Sequence, residues 1–221
     1  MAETEESAPK RGAKSGYHHG DLRNALISAA TELARQEGPD AVVLRAVARR
    51  VGVSPTAAYR HFQGQEELLY AVKVVGQEGM ADRMERAVAD IDPHDVQERL
   101  FALGRAYVHF ALDEPGLFRS AFCHAAIPHA ALGMEQGGDG QPQQGSWDFR
   151  SYGLLVDAVD ALVAEGVLSP ERRAGAEVVL WSVVHGLVML ILDGALSGLD
   201  QEVQDRLAQQ AMSSVLRGLT S

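Results

Sequence analysis

The chain has 221 residues, of which 46% are hydrophobic, and it carries a formal net charge of −10. This length allows a sizeable core and exceeds the size of a lone DNA-binding module of about 60 residues. Its single cysteine, Cys123, excludes an internal disulfide framework and fits a reducing compartment. Met1–Gly16 is polar and charged, so we expect no signal peptide and a cytoplasmic protein.

The charge is divided unevenly along the chain. Lys and Arg exceed Asp and Glu by five over residues 10–63, whereas residues 64–221 carry a net charge of −12. A basic N-terminal quarter on an acidic body can orient a molecule towards a polyanion such as DNA, although chance clustering would also produce this modest excess.

The first segment, Met1–Gly16, has no apolar periodicity and predicts a disordered tail. Two interpretations of its basic residues remain open. In one, Lys10, Arg11 and Lys14 form a flexible arm that follows a groove or the phosphates of DNA. In the other, they belong to a solvated, disordered terminus.

The next segment predicts three helices that include a helix-turn-helix. Apolar side chains at helical spacing predict a first helix from Asp21 to the stop at Gly38-Pro39. A second helix is expected over Leu44–Val51 and breaks at Gly52. Ser54-Pro55 then supplies the N-cap and the first helical position of a third helix. Two short helices joined by a tight turn near a glycine are typical of the helix-turn-helix motif.

The remainder predicts a larger helical body. No long segment alternates between polar and apolar residues, so we predict an all-α fold of about nine helices. The most apolar run, Val178–Leu192, is shorter than a membrane span and predicts a buried helix. We divide the chain into a tail (1–16), a helix-turn-helix domain (17–64) and a ligand-binding and dimerisation domain (65–221). The body helices are expected over Gln65–Ala89, Asp95–Leu112, Gly116–Cys123, Trp147–Glu165, Pro170–Ser197 and Gln201–Leu219, with a mobile loop at Gly133–Ser146.

The stretch Leu44–Phe62 closely resembles the signature of the tetracycline-repressor (TetR) family. The resemblance covers about residues 17–75 and includes His18–Leu22, the turn Gly52–Ser54 and the helix end Tyr59–Phe62. It implies an N-terminal three-helix unit that binds an operator in double-stranded DNA and a C-terminal body that binds a small-molecule effector and forms a homodimer. It also implies that the chain is not an enzyme.

The residue types of the third helix fit contact with DNA. Its small side chains allow close approach to base edges, and Thr56 can hydrogen-bond a base or a phosphate. By resemblance, Tyr59 and His61 bind phosphates. The ring of Tyr59 would also suit core packing. Phe62 is expected in the core. The predicted DNA-binding residues are Arg45, Ser54, Pro55, Thr56, Ala57, Tyr59, Arg60 and His61.

Two positions depart from the family pattern. Val43 stands where a Thr or Ser usually opens the second helix, and Gln65 stands where a lysine usually opens the fourth. Neither side chain supplies the usual phosphate contact, so we expect weaker salt-dependent affinity for DNA. These departures also leave an alternative open, a helical ligand-binding or interaction protein that no longer binds DNA specifically.

A second motif, Trp181-Ser-Val-Val-His185-Gly186, resembles the W-x-x-x-H-G motif of one C-terminal subclass of the family. Trp181, His185 and Met189 are expected on one helix face. That face either borders a ligand cavity with His185 as its polar group, or packs in a core or dimer seam. The predicted ligand-binding residues are Phe110, Phe118, Phe122, Trp147, Trp181, His185 and Met189.

The sequence predicts no metal, cofactor or enzyme chemistry. Its eight histidines form neither an H-E-x-x-H pair nor a Cys/His finger spacing, although the fold is free to bring His109, His124 and His185 together. The chain contains no G-x-S-x-G elbow, P-loop or dinucleotide fingerprint, which disfavours an all-α enzyme or carrier. Cys123 is either a redox-sensitive thiol or a buried spectator.

Together these patterns predict a ligand-responsive homodimeric repressor. A two-fold dimer presents two recognition helices and therefore suits a pseudo-palindromic operator. We expect a small, mostly apolar molecule to release it from DNA. The dimer is expected through Trp147–Glu165, which carries an apolar stripe, and Pro170–Ser197, which is apolar nearly all round.

Overall fold

A computed structural model describes residues 19–123 and 149–221. Within these ranges the chain forms nine α-helices and no strand, which confirms the all-α prediction. The predicted tail and the predicted loop at Gly133–Ser146 lie outside the described residues. The helices are α1 (His19–Glu37), α2 (Leu44–Val51), α3 (Pro55–Tyr59), α4 (Gln65–Val88), α5 (Val96–Asp113), α6 (Pro115–Phe122), α7 (Arg150–Ala164), α8 (Ala176–Asp193) and α9 (Gln201–Thr220).

The helix-turn-helix forms where local chemistry predicts it. Gly52 ends α2 with a φ of 78°, a left-handed conformation that glycine adopts without strain. Ser54 then caps α3, because its hydroxyl oxygen accepts a hydrogen bond from the backbone N–H of Ala57 at 3.2 Å. Pro55 occupies the first helical position, where its missing N–H costs nothing.

The longest helix, α4, joins the helix-turn-helix to the body. It packs against α1 on one side and against α5, α6 and α7 in the body. Leu68 and Val72 near its start are fully buried, and Met80 and Met84 further along are buried as well. One apolar cluster therefore runs without a break from the helix-turn-helix into the body.

The last helices differ in their bounds from the prediction over Pro170–Ser197. A short 3-10 turn covers Pro170–Arg172, and Gly175 follows with a φ of 75°, so α8 begins only at Ala176. It ends at Asp193. The predicted helix was too long because the glycine at its start bends the chain.

Helix α8 is the most apolar element of the part of the chain that the structure describes. Its length and composition alone would allow it to cross a membrane, but only 33% of it is buried in this single chain. A core helix has the same composition. Helix α8 packs against α5, α7 and α9 and leaves one apolar face uncovered.

Candidate DNA-binding surface and ligand cavity

The short helix α3 presents its polar and small side chains to solvent and its apolar side to the core. Ala58 is fully buried, whereas Thr56 is exposed and Tyr59 is 49% exposed. A tyrosine ring held half out of the protein, one helical turn from an exposed threonine, can reach a phosphate while the threonine meets base edges. This arrangement favours the DNA-contact interpretation of Tyr59 over core packing.

The flanking residues complete an exposed surface. Arg45 and Arg49 lie four residues apart on α2, and both are exposed. Arg60 after α3 is exposed, and His61 is partly buried. All eight predicted DNA-binding residues thus lie outside the buried core, and their contacts with DNA remain a prediction.

Phe62 lies in the core, where the sequence predicts it. Its side chain is 1% exposed and belongs to the apolar cluster that also contains Leu26, Leu44 and Leu68. The guanidinium carbon of Arg23 lies 4.9 Å from the centre of its ring, a cation–π contact. The prediction that Phe62 is a core residue is confirmed.

The two departures from the family pattern occupy the helix starts at which they were predicted. Val43 is the N-cap of α2, is 38% exposed and supplies no side-chain hydrogen bond to the first turn. Gln65 is the first residue of α4 and is exposed. Each therefore stands at a helix N-terminus, where a hydroxyl or a cation would otherwise meet phosphate.

A cavity of about 250 Å³ lies in the helical body. It is bordered mainly by α4, α5, α7 and α8, with one residue each from α6 and α9. None of the described residues that line it is Asp, Glu, Lys or Arg. The lining residues are Gln77, Met80, Met84, Leu100, Leu103, Gly104, Tyr107, Phe122, Ser151, Tyr152, Leu155, Leu180, Trp181, Val184, His185 and Met212.

A chain of hydrogen bonds crosses one wall of the cavity. Trp181 Nε1–H donates to the hydroxyl oxygen of Tyr107 at 3.2 Å, and that oxygen lies 2.7 Å from Nδ1 of His185. Tyr107 is buried, so its hydroxyl hydrogen needs an acceptor, and Nδ1 of His185 is within reach. His185 is then a neutral imidazole with its hydrogen on Nε2. Burial also lowers the pKa of His185 and raises the pKa of Tyr107, which keeps both side chains uncharged.

A second polar pair lies where α4 meets α7. Ser151 Oγ donates to Oε1 of Gln77 at 2.6 Å, and Nε2 of Gln77 donates to the carbonyl oxygen of Ala121 at 3.0 Å. Burial raises the pKa of the neighbouring Tyr152 to about 12, so its hydroxyl is also neutral. The polar groups of the cavity wall are therefore uncharged near pH 7.

Three of the predicted ligand-binding residues line the cavity: Phe122, Trp181 and His185. Their rings are adjacent, with centroid distances of 4.9 Å between Trp181 and His185 and 5.0 Å between Phe122 and His185. Phe118 is fully buried, with its ring centroid 4.9 Å from that of Phe122 and 5.7 Å from that of His185, and it does not line the cavity.

Two other predicted ligand-binding residues, Phe110 and Met189, do not line this cavity. Phe110 is buried and borders an outer groove beside Glu114 and Leu117. Met189 is 37% exposed on the outer face of α8. Trp147 lies outside the described residues.

Several cavity residues were not singled out from the sequence, above all Tyr107, Gln77 and Ser151. Tyr107 shares its helix face with Leu100, Leu103 and Gly104, a run that reads from sequence alone as ordinary core. Tyr107 becomes part of the cavity wall because α5 packs against α8 and brings its hydroxyl to His185, which lies 78 residues away in the sequence.

The structure describes three of the remaining histidine and cysteine residues that the sequence singled out, which are His109, His185 and Cys123. Nε2 of His109 lies 2.7 Å from the carboxylate of Asp205, whereas His185 contacts Tyr107, so these two histidines have separate partners. His124 lies outside the described residues. Cys123 donates from Sγ to a backbone carbonyl at 3.0 Å, and burial raises the pKa of its thiol, which disfavours the reactive thiolate.

Comparison with known proteins agrees with this architecture. A family model described as "Bacterial regulatory proteins, tetR family" matches residues 26–72. A second model, "Tetracyclin repressor-like, C-terminal domain", matches residues 100–215, which is more than half of the chain.

Similar proteins extend over most of the chain. The uncharacterized HTH-type transcriptional regulator YobS of Bacillus subtilis (strain 168) is 29% identical over 172 residues, which cover 78% of this chain and 80% of YobS. A protein of unknown function from Rhodococcus sp. RHA1 has a similar structure, with a TM-score of 0.71 and 27% identity over 94% of this chain and all of its own.

A more distant structure supports the fold alone. The TetR family transcriptional regulator PfmR from Thermus thermophilus matches with a TM-score of 0.55 and 20% identity, over 89% of this chain and 99% of PfmR. The exposed helix-turn-helix, the all-helical body and the two family models lead to one assignment: this chain belongs to the TetR family and is a helix-turn-helix transcriptional regulator.

Proposed function

We propose that this regulator is a repressor that leaves a pseudo-palindromic operator when a small, mostly apolar molecule fills the cavity. The observation that carries the proposal is the course of α4. This helix follows α3, the proposed recognition helix, and its middle lines the cavity through Gln77, Met80 and Met84. A molecule that binds two positions of α4 with different affinity shifts the population between them.

Helix α6 offers a second connection between the cavity and the DNA-binding unit. Its last residue, Phe122, lines the cavity, and Gly116 near its start is buried against the backbone of α1. An ion pair of 3.0 Å between Arg35 of α1 and Glu114 lies beside this contact. A ligand that displaces Phe122 would therefore move a helix that packs directly against α1.

We assign the DNA contacts within residues 17–64 by exposure and chemistry. Thr56 and Ala57 face the bases, whereas Tyr59, His61 and Arg45 bind phosphates. The support is that Thr56, Tyr59 and Arg45 are exposed beside a capped recognition helix whose inner side is buried. Residues 65–221 then form the body, and 1–16 a tail.

Substitutions on α3 test this assignment. We expect Tyr59→Ala to weaken binding to all DNA sequences by about 1–3 kcal/mol, because it removes a phosphate contact. Thr56→Ala is expected instead to change the preferred base at one operator position. Tyr70→Ala is a matched control, since Tyr70 is 46% exposed but lies on α4. The measurement is fluorescence anisotropy with operator and scrambled DNA. Wild-type affinity and preference in both α3 variants would refute the placement of the recognition helix.

We infer a homodimer through the predicted segments Trp147–Glu165 and Pro170–Ser197, which contain α7 and α8. The support lies on α8, where Val179 and Leu190 are 46% and 50% exposed. Gly186 lies between them on the same face, and a methyl group there would meet open space. Large exposed apolar side chains around a glycine suit close packing against a second copy of the helix.

A charge on this face is expected to break the dimer. Leu190→Glu places two unpaired carboxylates in a two-fold interface, and we expect the dimer dissociation constant to rise at least about a hundredfold. Gln97→Glu adds the same charge at an exposed position of α5 and should leave the dimer intact. Sedimentation velocity distinguishes the two. A wild-type protein that is monomeric at micromolar concentration would contradict the assigned interface.

We also infer that the chain belongs to the W-x-x-x-H-G subclass, acts in the cytoplasm and has no enzymatic activity. The support for the subclass is structural, because Trp181 and His185 both line the cavity while Gly186 is exposed on another face of α8. A motif that divides one helix between a ligand wall and a subunit interface would link effector binding to dimer geometry.

A further inference from the structure

We propose that the effector is an uncharged aromatic molecule that carries a hydrogen-bond acceptor, and that this acceptor binds His185. The inference rests on the proposed function, in which the cavity is the effector site. It narrows a small apolar molecule to one chemical class and excludes organic cations and carboxylates.

The uncharged lining of the cavity favours an uncharged ligand. The described residues that line the cavity include no acid, lysine or arginine, and its titratable groups are neutral. Two carboxylates on the bordering helices are already paired, Glu78 with Arg150 at 2.8 Å and Glu177 with Arg173 at 2.5 Å. Among the described lining residues an ionised ligand would find no counter-charge, and burial of an unpaired charge costs far more than burial of a neutral molecule of the same shape.

The aromatic side chains of the cavity wall favour an aromatic ligand. Tyr107, Phe122, Trp181 and His185 contribute four adjacent rings, with Phe122 and Trp181 6.1 Å apart and Tyr107 and Phe122 5.9 Å apart. Aromatic rings favour offset or edge contacts with a further ring. Three methionines complete the lining, and their flexible, polarisable side chains adapt to flat faces and ring edges; they are Met80, Met84 and Met212.

The volume of the cavity limits the size of the ligand. A dry protein cavity of about 150 Å³ accepts benzene, and drug-sized ligands occupy cavities of about 300 Å³ or more. The volume of about 250 Å³ lies between these values. It therefore suits a molecule of one substituted ring or two fused rings.

The hydrogen bonds from Trp181 to Tyr107 and from Tyr107 to His185 determine which group His185 can offer to a ligand. Because Nδ1 of His185 accepts from Tyr107, the group that His185 offers to a ligand is the Nε2–H donor. A donor in an apolar cavity selects molecules with an acceptor and disfavours those without one. A carbonyl, ether or ring nitrogen on the aromatic ligand satisfies this requirement.

Matched naphthalene probes test the proposed class. The three probes share one ring system: 2-acetylnaphthalene is neutral with an acceptor, 2-naphthoate is an anion, and 2-naphthylmethylammonium is a cation. By isothermal titration calorimetry, we expect the ketone to bind the full chain at least about tenfold more tightly than either ion. Equal or tighter binding of an ion, or no binding of the ketone, would overturn the proposal.

Two further measurements locate the probe and test the acceptor. In spectra of methyl-labelled methionine, the ketone should shift the signals of Met80, Met84 and Met212 and leave exposed Met189 unchanged. His185→Phe keeps an aromatic ring but removes the Nε2–H donor, together with the Nδ1 acceptor of Tyr107, and we expect it to weaken ketone binding about three- to tenfold. His94→Phe is the matched control, because His94 is exposed and pairs with Glu165 outside the cavity.

The outcomes separate this inference from the proposed function. Ketone shifts at Met189 alone, or equal affinity of the His185→Phe and wild-type proteins, would refute the assigned binding mode. Neither result concerns the operator, which is measured with DNA alone. Conversely, tight ketone binding that leaves operator affinity unchanged would support the ligand class and refute release from DNA by occupancy of the cavity.

Discussion

Replacement of Phe62 by alanine is expected to lower the free energy of unfolding by about 3–5 kcal/mol, the usual cost of removing a fully buried phenylalanine. The side chain is 1% exposed, and its ring packs in the cluster that joins α1, α2 and α4. Helix α3 has only five residues, so it depends on this cluster for its position. A loss of this size is a large fraction of the stability of a typical domain, and operator binding should fall with it.

Two controls separate stability from DNA contact at this site. Phe62→Leu keeps most of the volume and should cost less than about 2 kcal/mol. Tyr59→Ala removes a half-exposed ring three residues away and should reduce DNA affinity with little change in stability. Urea unfolding followed by circular dichroism measures all three variants. A cost below about 1 kcal/mol for Phe62→Ala would show that the ring is not the anchor described here.

The second large effect is expected at Gly116. A methyl group on this residue would lie less than 3.0 Å from the carbonyl oxygens of Ala34 and Arg35 in α1. These are backbone atoms at the end of a helix and cannot rotate away as a side chain would. Gly116→Ala therefore has to push α6 from α1, and we expect a loss of about 3 kcal/mol, at the upper end for overpacking.

The matched control is Gly218→Ala, also a glycine in a helix. A methyl group at Gly218 meets nothing within 4 Å, so the substitution should be neutral or stabilise the helix by up to about 1 kcal/mol. Operator affinity should also fall in the Gly116→Ala protein, because α1 packs against α2, which in turn packs against α3. If the two alanine variants unfold at the same urea concentration, the close contact between α6 and α1 is not present in solution.

The helix-turn-helix was predictable because its signals are local. Gly52 forms the left-handed end of α2, and Ser54 caps α3, as their positions in the sequence indicate. Phe62, at the end of the same segment, was expected in the core and is buried there. Such features depend on residues within one or two turns of each other, so the sequence alone carries them.

The ligand cavity was predictable only in part, because it depends on distant contacts and on rotation around a helix. Met189 follows Trp181 by eight residues, which at 3.6 residues per turn rotates it by about 80° and takes it to the outer face of α8. Phe110 is displaced by about 60° from Tyr107 on α5 and faces another groove. The hydrogen-bond chain joins α5 to α8 across 78 residues, and no local pattern predicts it.

The central claim is that this chain binds DNA specifically through α3, and titration of operator DNA tests it most directly. The wild-type dimer should be titrated against overlapping fragments that flank its own gene, at about 50 mM salt and at higher salt. We predict one saturable complex on a pseudo-palindromic site, which weakens as salt rises and is weakened by about 1–3 kcal/mol in the Tyr59→Ala protein. The absence of any specific complex across that region at low salt would contradict the account and favour a helical protein that no longer reads DNA.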